Sequence, residues 1–499
     1  MVIKAVAEKY IVMEEGKDKM SYLYLKENQP LTAKDIDTSW KAGVPWYESA
    51  VFYHIYPLGM CGCPRENSED SEKRKSVTNI LEIEKIIPHL QAMGVNAMYI
   101  GPLFESAAHG YETHDYKLVD RRLGTNEDFI HLVDRLHDAG IKVVVDGVFN
   151  HSGRGFFAFK DLREKKGNSA YKDWYCRVDF GGNSAFNDGF SYEAWHGFQE
   201  LPRLNVLNPA VKDYLKDVIR FWRNEFHIDG IRLDCADVLD FNFMKELRRL
   251  ANEFGPEFWL MGEVIHGDYS RWANNDTLHS VTDYEMHKGI FSGHNDHNYF
   301  EIAHSARRLF DPNGGIARGV RLYNFIENHD VERLVEKLKN REHWKNCYTL
   351  VYTLPGVPSV YYGGEFAIRG KKENNQDYAL RPQLLASDYE RLAKENHEEE
   401  SFIEYLGKLR NGVAALTTGK YRQLALTNRQ FSFARVSDNG DIAVILMNND
   451  DNAAEMRFAM PCAGKYIDTA TGNLIDCTDG GIAVRLAGNS SAVLVLDRN

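Results

Sequence analysis

The sequence predicts a (β/α)8 barrel of the α/β class, with a subdomain inserted after its third strand and a C-terminal antiparallel β-sandwich. Two observations lead there. Short, near-continuously apolar runs bounded by turn residues, such as IKVVVD (141–146), GIRLD (230–234), FWLMGE (258–263) and RLYNFIEN (321–328), read as fully buried strands and not as half-exposed, alternating ones. Carboxylates stand at or just after four of these runs, in DGVFNH (146–151), GIRLDCADV (230–238), MGEV (261–264) and FIENHD (325–330). A parallel barrel carries its functional groups at the carboxyl ends of several strands, so Asp146, Asp234, Glu263 and Asp330 are expected to converge.

Residues 1–45 are mostly polar, with one possible hairpin from YIVM to YLYL, and no role is assigned to them. The rhythm starts near Trp46. VFYHIY (51–56), NAMYIG (96–101), the four runs above, the weaker SVTDY (280–284) and VPSVYY (357–362) complete the strand candidates. Between them, NILEIEKIIPHLQAMG (79–94) spaces its apolar residues at three and four and stops at Gly94. NEDFIHLVDRLHDAG (126–140) opens on an Asn126 cap and ends on Gly140, and PAVKDYLKDVIRFWRNEF (209–226) has Pro209 in its first turn. The barrel is expected over 46–416. Its interruption at 152–207, rich in Gly, Asn, Ser and aromatics without a helical period, is too long for an ordinary loop and reads as a subdomain over the barrel mouth. After the helix-like 398–416, the short runs QFSFARV, DIAVILMN, IAVRLA and SAVLVL, split by Asp-Asn-Gly and Gly-rich turns, predict the sandwich over 417–499.

Composition excludes several classes. A chain of 499 residues that is 43% hydrophobic and 12% aromatic can bury a large core and divides into two or three domains. A formal charge of −12 argues against a nucleic-acid partner, and the one basic run, Lys73 to Lys75, sits among acids as a solvated loop. No run approaches the roughly 20 apolar residues of a membrane span, and the first residues lack a signal-peptide core. The seven thinly spread cysteines fit a reducing compartment, so a cytoplasmic location is expected. Cys61-Gly62-Cys63 lacks the spacing of a zinc or redox pair.

With these motifs in place, the chain resembles the α-amylase family of glycoside hydrolases over about residues 46–499. The resemblance is carried by the four separated motifs in the family's order, with GVPSVYYGGE (356–365), LPRLN (201–205) and HGYETHDY (109–116) in support. It implies that Asp234 is the nucleophile, Glu263 the acid/base and Asp330 the group that steadies a distorted sugar. It further implies that Asp146 and Arg232 belong to the hydroxyl-binding network, that His151 and His329 donate to hydroxyls of the sugar at the cleavage point, and that Tyr111 forms the platform beneath that sugar. Taken singly each has a blander reading: Arg232 with Asp234 as a structural ion pair, either histidine as a satisfied core residue, Tyr111 as packing. Tyr171, Trp174, Tyr175, Tyr192 and Trp195 could be sugar platforms or only the subdomain's core.

The chemistry asks for these residue types independently of the family. A retaining glycosidase needs one carboxylate to attack the anomeric carbon and one carboxylic acid, about 5–5.5 Å away, to protonate the leaving oxygen. Arg232, two residues before Asp234 on one strand, projects to the same face and supplies the opposite charge an ionised nucleophile needs. Glu263 follows the apolar FWLMG, where desolvation among acids favours its protonated form.

Two departures limit what the resemblance implies. Many α-amylases continue the nucleophile motif with Ala-x-Lys-His, where this chain has Cys235-Ala236-Asp237-Val238. Asn150 matches a calcium-ligating Asn of the family, but Val238 replaces the accompanying His, so no cofactor is required and structural calcium is a weakened expectation. LPRLN followed by NPAVKDYL, and LMGEVIHGDY, look like the branch of cyclomaltodextrinases, neopullulanases and maltogenic amylases. That branch carries a long N-terminal domain that builds its dimer, so neither oligomeric state nor substrate selectivity follows here. The expected function is hydrolysis of α-1,4-glucosidic bonds in maltooligosaccharides, cyclodextrins or starch fragments, with an α-glucan oligosaccharide as the partner. An α-glucan transglycosylase using the same residues is the alternative, and a non-catalytic carbohydrate-binding protein a remote one.

Overall fold

The computed structural model describes residues 21–22, 41–67, 79–374 and 376–498. Eight short strands form at the eight expected places: β1 (Phe52–Ile55), β2 (Ala97–Ile100), β3 (Lys142–Gly147), β4 (Gly230–Leu233), β5 (Trp259–Gly262), β6 (Ser280–Val281), β7 (Tyr323–Asn324) and β8 (Val357–Tyr361). Each runs parallel to its neighbour in chain order, and β8 returns to β1. A single parallel bridge, Thr282 to Tyr323, joins β6 to β7 and closes the ring.

Strand periodicity divides the apolar residues into two layers. Tyr53, Ile55, Met98, Val143, Val145, Ile231, Leu233 and Leu260 pack outward under the helices. Phe52, Tyr99, Val144, Trp259, Met261 and Tyr323 fill the barrel interior, with the Phe52 and Trp259 rings stacked at 5.1 Å. Since alternate residues share a face, Asp146 follows Val144 inward and Arg232 points inward between the outward Ile231 and Leu233. The β3–β4 register sets Asp146 directly beside Arg232.

The helices differ from expectation in two details. Thr125, not Asn126, caps the helix Asn126–Asp138: its hydroxyl accepts from the Asp128 N–H while the Asp128 carboxylate accepts from the Thr125 N–H. Asn126 is spent on the preceding strand, accepting from Val119 N–H and donating to the Lys117 carbonyl. The stretch 79–94 is not one helix but a 3₁₀ turn Asn79–Leu81 followed by Glu82–Lys85 and Ile87–Ala92. Pro88 near the start of the last piece has no N–H to give the preceding turn, which breaks the ladder there. Gly140 ends its helix at φ +77°, a backbone state that glycine adopts without strain. Asn208 caps Pro209–Glu225 by accepting from Ala210 N–H.

The 152–207 insertion carries one helix, Phe157–Lys165, and is otherwise held by isolated bridges such as His151–Arg203 and Ala194–Pro202. Tyr175 and Tyr192 set their rings against Phe159, each at 5.0 Å and 74°, so both serve packing. The C-terminal region is two sheets. Six antiparallel strands, β9 (Lys420–Leu426), β10 (Gln430–Val436), β11 (Ile442–Asn448), β13 (Gly464–Asp468), β14 (Leu474–Cys477) and β16 (Ser490–Leu496), lie in the order β9-β10-β11-β16-β13-β14. Facing them, β12 (Ala454–Ala459) pairs with β15 (Gly481–Leu486), and Ser21–Tyr22 adds a parallel strand to β15. Val444, Leu446, Tyr466, Met456, Ile482 and Val484 fill the space between the sheets. The basic run Lys73 to Lys75 and, apart from Ser21–Tyr22, the segment expected as a possible hairpin lie outside the described residues. All seven cysteines are free, and among the described residues no helix is long and apolar enough to cross a membrane.

Sandwich and barrel are joined by buried arginines that face carbonyls instead of carboxylates. Arg435 on β10, fully buried, donates to the Thr353 carbonyl at the end of helix Trp344–Thr353 (2.7 Å) and twice to Gly419 (2.9 and 2.8 Å). Helix C-termini leave carbonyls without partners and carry partial negative charge, which offsets part of the cost that burial imposes on this cation in the absence of an acid. Arg435→Met should strand these carbonyls and lower unfolding free energy in urea by roughly 1–3 kcal/mol for each. An unchanged urea midpoint would show that the latch carries no stability.

Candidate active site

Arg232 is the hub of the cleft. Its Nη1 donates to Asp234 Oδ1 (2.7 Å) and Asp146 Oδ1 (2.9 Å), and its Nη2 lies 2.8 Å from Glu263 Oε1. All four side chains are at least nine-tenths buried. Asp146 is held from the far side by Tyr99 (2.7 Å) and Tyr111 (3.2 Å), both through hydroxyls to Oδ2. Three carboxyl groups around one buried guanidinium cannot all stay charged, and the environment selects among them. Burial pushes the Glu263 carboxyl well up; Arg232 opposes this, while Asp234 and Asp330 add to it. Burial likewise raises Asp146, against the pull of Arg232.

The loop after β7 brings the remaining groups. His329 Nε2 lies 3.0 Å from Asp330 Oδ2 and also meets the Tyr111 hydroxyl. Tyr111 stacks over the His329 ring at 5.7 Å and 14°, half-buried, with part of its ring left to the cleft. Asp330 opens toward the mouth and is paired by Arg381 Nη2 at 3.0 Å. Burial alone would raise its carboxyl, but His329, Arg381 and Arg232 outweigh this and hold it well below the usual range. His151 is buried beside the Trp195 ring (6.0 Å), and burial keeps its imidazole neutral. Among the described residues, the His151 Nε2 and the His329 Nδ1 find no hydrogen-bond partner, although both are buried, so each can serve a ligand hydroxyl.

Asp146, Asp234, Glu263, Asp330, Arg232, His151, His329 and Tyr111 thus converge at one barrel mouth. Sequence reasoning missed four residues that touch them. Tyr99, which buttresses Asp146, sits two residues before the end of NAMYIG, and its inward parity was the available signal. Tyr284, at the end of SVTDY, reaches Glu263 Oε1 (3.3 Å) while accepting from the Asn328 amide (3.2 Å). Arg381 lies in an irregular segment after β8, where no pattern marks it; it also donates to Asp377 (3.2 Å) and stands over the Tyr56 ring at 4.6 Å. Cys235 contacts both Asp234 and Glu263.

Asn150, the position expected to ligate calcium, lies beside His151. Its amide nitrogen is 3.2 Å from His151 Nδ1, and among the described residues the one group of three His, Cys, Asp or Glu ligand atoms within reach of a common ion is Asp234, Cys235 and Glu263. Calcium takes six to eight oxygen ligands, often several carboxylates, and among the described residues no three carboxylates gather within reach of one ion, so we propose that Asn150 holds no calcium. EDTA is expected to leave the thermal midpoint where it was; a lowered midpoint would put a cation back at Asn150.

Comparison with known proteins agrees with the motifs. The α-amylase catalytic-domain model matches residues 73–404. Neopullulanase 2 of Thermoactinomyces vulgaris is 30% identical over 461 residues, covering 88% of this chain and 76% of that protein. The intracellular maltogenic amylase of Bacillus subtilis (strain 168) is 27% identical over 413 residues, 79% of this chain and 67% of its own. A solved cyclomaltodextrinase superposes with a TM-score of 0.78 at 26% identity, over 91% of this chain and 78% of that one. The fold and site define a carbohydrate-active hydrolase. More narrowly, the chain belongs to the α-amylase family, glycoside hydrolase family 13, with relatives in the neopullulanase, cyclomaltodextrinase and maltogenic amylase branch.

Gly101, directly after β2, has no room for a side chain: an added Cβ would run into the Asp146 carboxylate. Gly101→Ala should therefore displace Asp146 from Arg232 and lower turnover by about 10²-fold, the cost of an ångström-scale misplacement at a reacting centre. Turnover at the wild-type level would mean that the Asp146–Arg232 contact does not govern the site.

Proposed function

We propose that this enzyme cleaves α-1,4-glucosidic bonds in maltooligosaccharides, cyclodextrins or starch fragments with retention of anomeric configuration. The observation that carries the reading is the closeness of the two carboxyl groups: an Asp234 oxygen and a Glu263 oxygen lie within 4.8 Å of each other. That spacing suits direct attack by one carboxylate, about 5–5.5 Å from its partner, and is too small for the roughly 6.5–9.5 Å that an inverting enzyme uses to seat a water.

In this reading Asp234 attacks the anomeric carbon as the glycosidic C–O bond breaks, and Glu263 gives its proton to the leaving oxygen. Glu263 Oε1 is taken by two donors, Arg232 (2.8 Å) and Tyr284 (3.3 Å), so the proton belongs on Oε2, whose one hydrogen bond among the described residues comes from the Cys235 N–H at 3.2 Å. The resulting carboxylate then takes a proton from water, the water oxygen bonds to the anomeric carbon, and Asp234 leaves. Arg232, still paired with Asp146, balances the charge on Asp234 when it is free. Asp330, kept ionised by its cationic neighbours, and the unpaired nitrogens of His151 and His329 bind sugar hydroxyls, with Tyr111 beneath the ring. The branch of its relatives, one of them named as intracellular, supports an α-glucan substrate handled in the cytoplasm.

Because the acid must be protonated, activity should fall as pH rises through the raised Glu263 pKa, placing the alkaline limb well above the usual carboxyl range. Glu263→Gln should lower turnover by at least about 10²–10⁴-fold and abolish that limb while the protein melts as wild type. Near-wild-type turnover would assign the acid elsewhere. Chromatography of products from maltoheptaose, β-cyclodextrin, pullulan and starch tests the substrate class. Ring opening faster than attack on starch is the expected result, and failure to cleave any of the four would overturn the reading. Products longer than the substrate would favour transglycosylation.

A further inference from the structure

Besides Arg232, Cys235 is the one residue among those described that touches both carboxyl groups of the proposed reaction. Its backbone N–H donates to Glu263 Oε2 (3.2 Å), and its thiol donates to Asp234 Oδ2 (3.2 Å), while Asp234 Oδ1 is taken by Arg232 (2.7 Å). Its backbone is left-handed, at φ +47° and ψ 41°, a conformation that costs a residue with a Cβ on the order of 1 kcal/mol or more. That turn lets a single residue present its N–H to one carboxyl and its side chain to the other. Burial, reinforced by the two acids, keeps the thiol protonated, so it is the donor in its contact with Asp234.

We propose that Cys235 is a positioning residue that fixes the Asp234 carboxylate plane relative to Glu263, through its thiol on one side and its N–H on the other; the proposal rests on the retaining reading above. With Oδ1 held by Arg232 and Oδ2 by the thiol, the carboxylate cannot rotate about its own axis, and the attacking oxygen is aimed before substrate arrives. The N–H bond similarly fixes the Oε2 edge of Glu263, the edge that carries the proton. The thiol is a weak donor, but its acceptor is a buried carboxylate, where hydrogen bonds are stronger than in water. The effect is on orientation, so it should appear in kcat and not in substrate affinity.

The test is kinetics of Cys235→Ala, Cys235→Gly and Cys235→Ser on maltoheptaose and β-cyclodextrin, with Asp234→Asn alongside. Ala and Gly remove the donor, and Gly also accepts the left-handed backbone without strain, so it guards against a variant that merely fails to fold. Both should lose about tenfold in kcat with KM within about twofold, as expected for one hydrogen bond to a charged group. Ser, which restores a donor at the same place, should recover to within about threefold of wild type, which space-filling alone would not predict. Wild-type kcat in Ala and Gly, or a Ser variant as impaired as Ala, overturns the proposal while an inactive Asp234→Asn leaves the retaining reading intact. An active Asp234→Asn would instead remove the reading on which the proposal stands.

Discussion

The site depends on one buried cation. Arg232 forks between Asp234 and Asp146 with one nitrogen and reaches Glu263 with the other, so three acids from three strand ends share a single positive charge. Without it, three buried carboxyl groups would have to protonate, since an unpaired buried charge is far more expensive than a neutral acid. With it, the charge suffices for part of the set, and burial keeps Glu263 protonated. The proposed acid and nucleophile are thus distinguished by environment, although both are carboxyl groups touching the same guanidinium.

The barrel supplies what this arrangement requires. Parallel register places Asp146 against Arg232, and strand parity turns both inward while their neighbours face the helices. The close approach of Gly101 keeps Asp146 from being pushed off that contact. Around this base the loops contribute the groups proposed to meet sugar hydroxyls and their neighbours: the turn after β7 with His329 and Asp330, the segment after β8 with Arg381, and the insertion with Trp195 beside His151. Fixed strand ends under variable loops allow the same chemistry to serve different glucans within one family.

Much of this was legible in the sequence, for identifiable reasons. Buried parallel strands announce themselves as apolar runs, so even SVTDY, whose strand is only Ser280–Val281, was found in place, and the acids at their ends converge as expected. The misses follow equally from physics. Thr125 and Asn126 are both good caps, and which one caps depends on Asn126 being drawn to Val119 and Lys117, a tertiary contact. Arg381 approaches Asp330 from an irregular segment in which no periodicity exists to be read. Cys235 looks like a replaced residue in a motif, and only its left-handed backbone brings thiol and N–H to two different carboxyl groups. The calcium expectation at Asn150 rests on a single motif residue, whose amide nitrogen faces His151 Nδ1.

The central claim is that Arg232 prepares Asp234 as a nucleophile within direct reach of the anomeric carbon. It is tested most directly by incubating the enzyme with a fluorinated α-maltosyl fluoride that slows hydrolysis of the glycosyl-enzyme, followed by peptide mass spectrometry. A single maltosyl adduct on Asp234, lost in Asp234→Ala, is expected. An adduct on another residue, or rapid turnover with inverted product and no adduct, would contradict it.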